Sequence, residues 1–122
     1  MILRTLMIAA AALMLAASAG AESRGPNGGI VVTADEHPVE FVFNDQEITF
    51  YLNGHNGEPM STKGFKARAV VQVGGKTTTI NLAPAEPNRF VGKLAAPLGP
   101  KARVVFSSAF DGHNLQARFV TP

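Results

Sequence analysis

Apolar and polar residues alternate with a period of two through most of the chain beyond residue 30. Val39, Phe41 and Phe43 alternate with Glu40, Val42 and Asn44, and Ile48, Phe50 and Leu52 alternate with Glu47, Thr49 and Tyr51. Such a period places one face of a strand on a core and the other in water. The break at Asn44-Asp45-Gln46 is turn chemistry, because Asn and Asp tolerate the left-handed conformation and bond their own backbone. The two runs therefore predict a β-hairpin, with His37 and His55 at its open end. The pattern recurs at Ala67, Ala69, Val71 and Val73, and Gly74-Gly75 predicts a primed two-residue turn into a return strand over 76–82. Pro84 and Pro87 are expected to end that strand, since proline has no place in a central ladder. Phe90 and Leu94 mark a further strand, and Ala102, Val104, Phe106, Ser108 and Phe110 a longer one. Asp111-Gly112 then turns into Leu115, Ala117 and Phe119. A short β-branched run at 30–33 is expected to be an edge strand, left without a partner by the glycine-rich stretch before it.

No stretch beyond residue 21 shows helical spacing with caps. Seven or eight short strands at regular turn spacing predict an all-β fold, an immunoglobulin-like antiparallel β-sandwich. The Cys and Trp of antibody domains are absent, so the expectation concerns architecture alone. A small barrel is the second fold considered. Seven of the eight Phe lie on strand-like runs, and with no Cys the core must hold by packing.

The first residues follow another pattern. Arg4 precedes an apolar run over 6–17, and Ala19-Gly20-Ala21 offers a small-residue cleavage site. The expected organisation is a signal peptide at 1–21, a turn-rich leader at 22–29 and one β-domain at 30–122. Cleavage after Ala19 is the near alternative. With no Cys to carry a lipid and no stop-transfer segment, the expected destination is the periplasm, with no membrane attachment after cleavage.

Charge changes the picture through its distribution. The formal net charge is only +2, and Arg4 leaves with the signal peptide, so a nucleic-acid partner is not indicated. Seven of the nine acids fall between positions 22 and 58, and nine of the eleven bases lie from Lys63 onward. An acidic region attracting cations is one reading. The plainer expectation is that early and late strands pair their opposite charges across the sheet.

Candidate chemistry follows from strand parity. If each strand reverses the last, the 44–46 turn and Gly74-Gly75 lie at one pole, and His37, His55 and the turn before His113 lie at the other. All three His of the chain reach one pole, with Met60, Glu58, Asp35 and Glu36 nearby in sequence. Imidazole with thioether suits copper, and imidazole with carboxylate suits zinc. The candidate metal ligands are His37, His55, His113 and Met60, and the ion is copper or zinc. Loops on a rigid sandwich are ordinary places for such a site. Against it, no His-x-His or His-x-x-x-His pair occurs, and each His also reads as a polar loop residue.

Other constellations fail. Gly75-Lys76-Thr77 matches the end of a phosphate-binding loop, but Val70 stands where that motif needs Gly and no helix follows. Ser107, Ser108, Asp111 and His113 do not make a triad, because successive strand residues face opposite sides and no oxyanion hole is indicated. The expectation is a protein that is not an enzyme.

The opening Gly25-Pro26-Asn27-Gly28-Gly29, Tyr51-Leu52, His55, the Gly57-Glu58-Pro59 turn, Gly74-Gly75-Lys76 and the closing Gln116-Ala117-Arg118-Phe119 carry a resemblance. The chain resembles a set of small periplasmic bacterial proteins, similar in turn to N-terminal segments of periplasmic adaptor subunits of heavy-metal efflux pumps. The coiled hairpin and lipoyl-like regions of a full adaptor are missing. The resemblance implies an accessory role beside a periplasmic efflux or metal-handling component. A non-catalytic interaction module, working through an edge strand or a sheet face with incidental His residues, is the competing expectation.

Overall fold

In the computed structural model the alternating runs become strands. The structure describes residues 23–110 and 112–122, with Phe110 by its backbone only. The expected signal peptide and Asp111 of the last turn lie outside the described residues. The strands are β1 (Ser23–Arg24), β2 (Ile30–Ala34), β3 (His37–Phe43), β4 (Glu47–Leu52), β5 (Ala67–Val73), β6 (Lys76–Ala85), β7 (Arg89–Lys93), β8 (Arg103–Phe110) and β9 (His113–Val120). All pairings are antiparallel, and no helix occurs among the described residues.

The all-β, antiparallel expectation holds. Hydrogen bonding runs through one nine-stranded sheet, in the order β1-β2-β3-β4-β7-β6-β5-β8-β9. That sheet curls back on itself as a half-barrel, so that β2 and β9 approach each other without a ladder between them. The strand that makes the curl possible is β6. It pairs with β5 from Lys76 to Leu82 and with β7 from Ala83 to Ala85. Pro84 therefore does not end the strand as expected. It is tolerated because β6 has a single neighbour over 83–85, where a missing N–H leaves no ladder bond unmade. Opposite the curl, Gly92 faces inward, and a Cβ there would stand 2.6 Å from Leu82 Cδ2 and 2.8 Å from Ile80 Cγ2. A side chain at that position would displace the apolar end of β6.

The core fills the space inside the curl. Phe41, Phe50, Phe90, Phe106 and Phe119 are fully buried with Val39, Ile48, Leu52, Val104 and Leu115. Phe50 of β4 packs on Phe106 of β8 at 4.8 Å between ring centres, and Phe41 of β3 on Phe119 of β9 at 5.1 Å. These tilted pairs join the two halves of the sheet. Phe43 and Val73, assigned to the same faces by period, lie at strand ends and are exposed.

Two sequence expectations are corrected at the first strands. The 30–33 run is an edge only in part, because Ser23 pairs with Val31 and Arg24 with Ile30, while Val32 and Thr33 pair with β3 alone among the described residues. The glycine-rich stretch after β1 is also anchored. The Glu40 carboxylate accepts from Asn27 N at 2.9 Å, Asn27 Nδ2 at 2.9 Å and Gly29 N at 2.8 Å, although alternation put Glu40 in water. The expectation that early acids pair with late bases is met in register at one place and not by contact. Glu47 stands opposite Lys93 in register, yet no Lys or Arg lies within 4.0 Å of an acid among the described residues.

A candidate metal-binding cleft

The pole that carries the His residues is built by three turns. β2 and β3 are joined by the two residues Asp35 and Glu36, between the closing pair Ala34 and His37. Both adopt positive φ, 49° and 65°, the geometry of a primed hairpin turn. Asp is among the residues that tolerate such a turn, but Glu is not, so Glu36 adopts it at some cost. The turn puts the Asp35 carbonyl oxygen 2.6 Å from Nδ1 of His37. A carbonyl only accepts, so His37 Nδ1 carries the proton, and in the neutral ring Nε2 keeps its lone pair.

His55 comes from the loop that leaves β4. That loop is tightly tied. Asn53 N donates to Pro38 O at 3.0 Å, Gly54 N to Glu58 O at 2.7 Å and Met60 N to Leu52 O at 3.0 Å. At its base the buried Asn88 donates from Nδ2 to Leu52 O at 2.9 Å. The His55 ring stands edge-on to His37, with 6.2 Å between centres and 86° between planes. Met60 returns toward the sheet and packs half-buried against the core.

His113 opens β9, on the far side of the gap between β2 and β9. Its Nδ1 lies 3.6 Å from Asp35 Oδ2, and both side chains are more than half exposed. The three turns thus enclose one cleft of about 290 Å³, lined by Asp35, Glu36, His37, His55, Met60 and His113 over a floor of Leu115. Every residue expected from parity as a ligand reaches this cleft. Glu58, its neighbour in sequence, does not line it.

Two imidazoles that share an ion at about 2.0–2.1 Å from each nitrogen have ring centres about 5–6 Å apart. The His37–His55 spacing is close to that range. Among the described residues, no three His, Asp or Glu side chains stand already grouped to hold a metal ion. A shared ion therefore requires rotation about side-chain bonds, and for His113 that rotation gives up the contact to Asp35. His55 and His113 are both exposed.

Asp35 is the residue whose part sequence reasoning missed. Its carbonyl and its carboxylate each face one imidazole at the Nδ1 side. Partners of this kind on the second nitrogen orient His ligands in metal sites and fix their tautomer. The only available signal was its place two residues before His37. The hydroxyls once considered for catalysis are placed apart, with Ser108 buried and donating to Lys66 O at 2.7 Å and Ser107 on the outward face. Comparison of the chain with protein-family models, curated proteins and solved structures gives no match.

Proposed function

We propose that the chain is an exported, non-catalytic accessory protein that binds one copper or zinc ion in the cleft at the His pole. His37, His55 and His113 supply imidazole nitrogens and Met60 a thioether. The observation that carries this reading is one cleft lined by His37, His55, His113 and Met60, in which the Asp35 carbonyl holds Nδ1 of His37 and leaves its Nε2 for a ligand. Asp35 and Glu36 add negative charge at the rim, which favours a cation. The facing halves of the curled sheet, joined by phenylalanines, support an immunoglobulin-like sandwich as the scaffold. Export to the periplasm rests on the pattern of residues 1–21, and the partner is an efflux or metal-handling component there.

The test is thermal melting of the purified protein at neutral pH with Cu(I), Cu(II) or Zn(II). At least one ion should raise the melting temperature, and His55→Ala should remove the rise while leaving the metal-free protein nearly unchanged. No rise with any of the three ions rules the site out.

A second reading, an interaction module, draws on β9. Among the described residues this strand has β8 as its only ladder partner along eight residues. Unpaired edges template strand addition. A proline placed at Arg118 should lower recovery of any partner that adds a strand there, and equal recovery would set this reading aside.

A further inference from the structure

A second face of the molecule is charged without being paired. β5, β6, β8 and β9 contain no Asp or Glu. Their outward positions bring Arg68, Arg103 and Arg118 to one side of the sheet, all exposed. None of the three forms an ion pair within 4.0 Å among the described residues. With strands about 4.8 Å apart and residues about 3.4 Å along each, their Cα atoms are roughly 8, 12 and 14 Å from one another. Arg68 lies opposite both Asn81 and Ser107, and Ser107 opposite Gln116, so one row of hydrogen-bonding side chains crosses four strands. Arg118 Nη2 donates to Gln116 Oε1 at 3.1 Å, which holds that guanidinium over the same row. Beside it lies a cleft of about 520 Å³ lined in part by Lys66, Arg68, Asn81, Ser107 and Gln116.

The chemistry narrows the occupant. β5 and β8 are paired on both sides, so an added peptide strand could lie only along β9 at the margin and not across the row of polar side chains. No aromatic side chain is presented among its described residues, so bases have nothing to stack on. Val120 at the margin is its one largely exposed large apolar side chain among the described residues, too little for insertion into lipid. What the face does offer is guanidinium for carboxylates, with amide and hydroxyl groups that both donate and accept between them. We propose that this face binds an anionic polysaccharide, with Arg68, Arg103 and Arg118 pairing its carboxylates and Asn81, Ser107 and Gln116 its hydroxyls. The proposal uses none of the metal ligands, although Leu115 lines both clefts.

Calorimetric titration of the purified protein at low salt tests it. Polygalacturonate is the probe, uncharged dextran the control, and phosphatidylglycerol vesicles and oligodeoxythymidine are separate arms. Saturable binding to polygalacturonate and none to dextran is expected. The double variant Arg68→Gln/Arg118→Gln should weaken binding about tenfold or more, because two charge-assisted contacts are lost. Arg68→Lys/Arg118→Lys should weaken it several-fold, since the charge stays and the planar fork goes. Arg89→Gln/Lys93→Gln on β7 should change it by less than about twofold. Melting temperatures should not move, because no ion pair is broken. Absence of binding, an equal loss in the β7 variant, or tighter binding to vesicles or DNA overturns the proposal.

Discussion

The Asp35 carboxylate lies 3.6 Å from Nδ1 of His113, and theirs is the one contact within 4.0 Å between a carboxylate and a basic side chain among the described residues. It joins the turn after β2 to the start of β9, the two strands between which the curled sheet has no ladder. A cleft formed at such a gap has walls that come from opposite ends of the sheet order. An ion held there would connect them, and Asp35 is the residue that already spans the gap.

Asp35→Asn is expected to separate the roles of this residue. Asn tolerates the positive φ of the turn and keeps the backbone carbonyl that faces His37. The exposed contact to His113 contributes at most about 1 kcal/mol, so stability should change little. Metal affinity should fall by about tenfold, as for other partners of ligating imidazoles. Isothermal titration beside a melting curve reads both, and an unchanged affinity would remove Asp35 from the site.

Glu36→Gly should stabilise the protein. Glu36 has a φ of 65°, where a β-carbon costs about 1–2 kcal/mol and glycine none. The greater freedom of an unfolded glycine returns part of that, leaving a gain of about 0.5–1 kcal/mol. For a domain of this size the melting temperature should rise by a few degrees. A fall would mean that the Glu36 side chain makes a contribution greater than the strain.

The strands and their inward residues were legible because burial follows period two closely. Phe41, Phe50, Val104, Phe106 and Phe119 all face the core as their parity requires. Convergence of the three His was legible for the same reason, since strand reversal fixes the pole of each turn. The turn at Asp35 and Glu36 was not, because Glu in the second position breaks the residue signal of a primed turn and its geometry there is imposed by the ladder around it. Glu40 was misread because alternation says which face a residue takes, and here the segment after β1 lies over that face. The split of β6 between two neighbours is a long-range pairing with no local mark beyond Pro84, and a proline there reads as a stop. The charge halves stay apart for that reason too, since β6 turns the basic strands onto a surface of their own.

Glu40→Ala should be among the costly outward-facing substitutions. It removes three hydrogen bonds to a buried carboxylate and leaves the buried N–H of Gly29 without its acceptor. The expected loss is about 2–4 kcal/mol. Release of the 25–29 segment should also speed tryptic cleavage after Arg24, because that bond would leave its ladder with β2. Cleavage at the unchanged rate, read by mass spectrometry under native conditions, would show that the segment is held by β1 alone.

Met60→Leu is expected to distinguish the two metals. The substitution nearly conserves volume at a half-buried position packed on the core, so the metal-free protein should lose less than about 1.5 kcal/mol. A thioether is a soft ligand that favours Cu(I), whereas Zn(II) is satisfied by imidazole and carboxylate. If Met60 is a ligand, the variant should bind Cu(I) at least about tenfold more weakly and leave Zn(II) binding unchanged. A hundredfold excess over the dissociation constant stabilises a binding protein by about 2.7 kcal/mol, so the loss is measurable as a smaller rise in melting temperature. Lowering the pH below neutral should weaken both ions, because protons compete for the imidazole nitrogens. Equal Cu(I) binding by Met60→Leu and the parent protein would assign Met60 to the core and leave a site made of imidazoles.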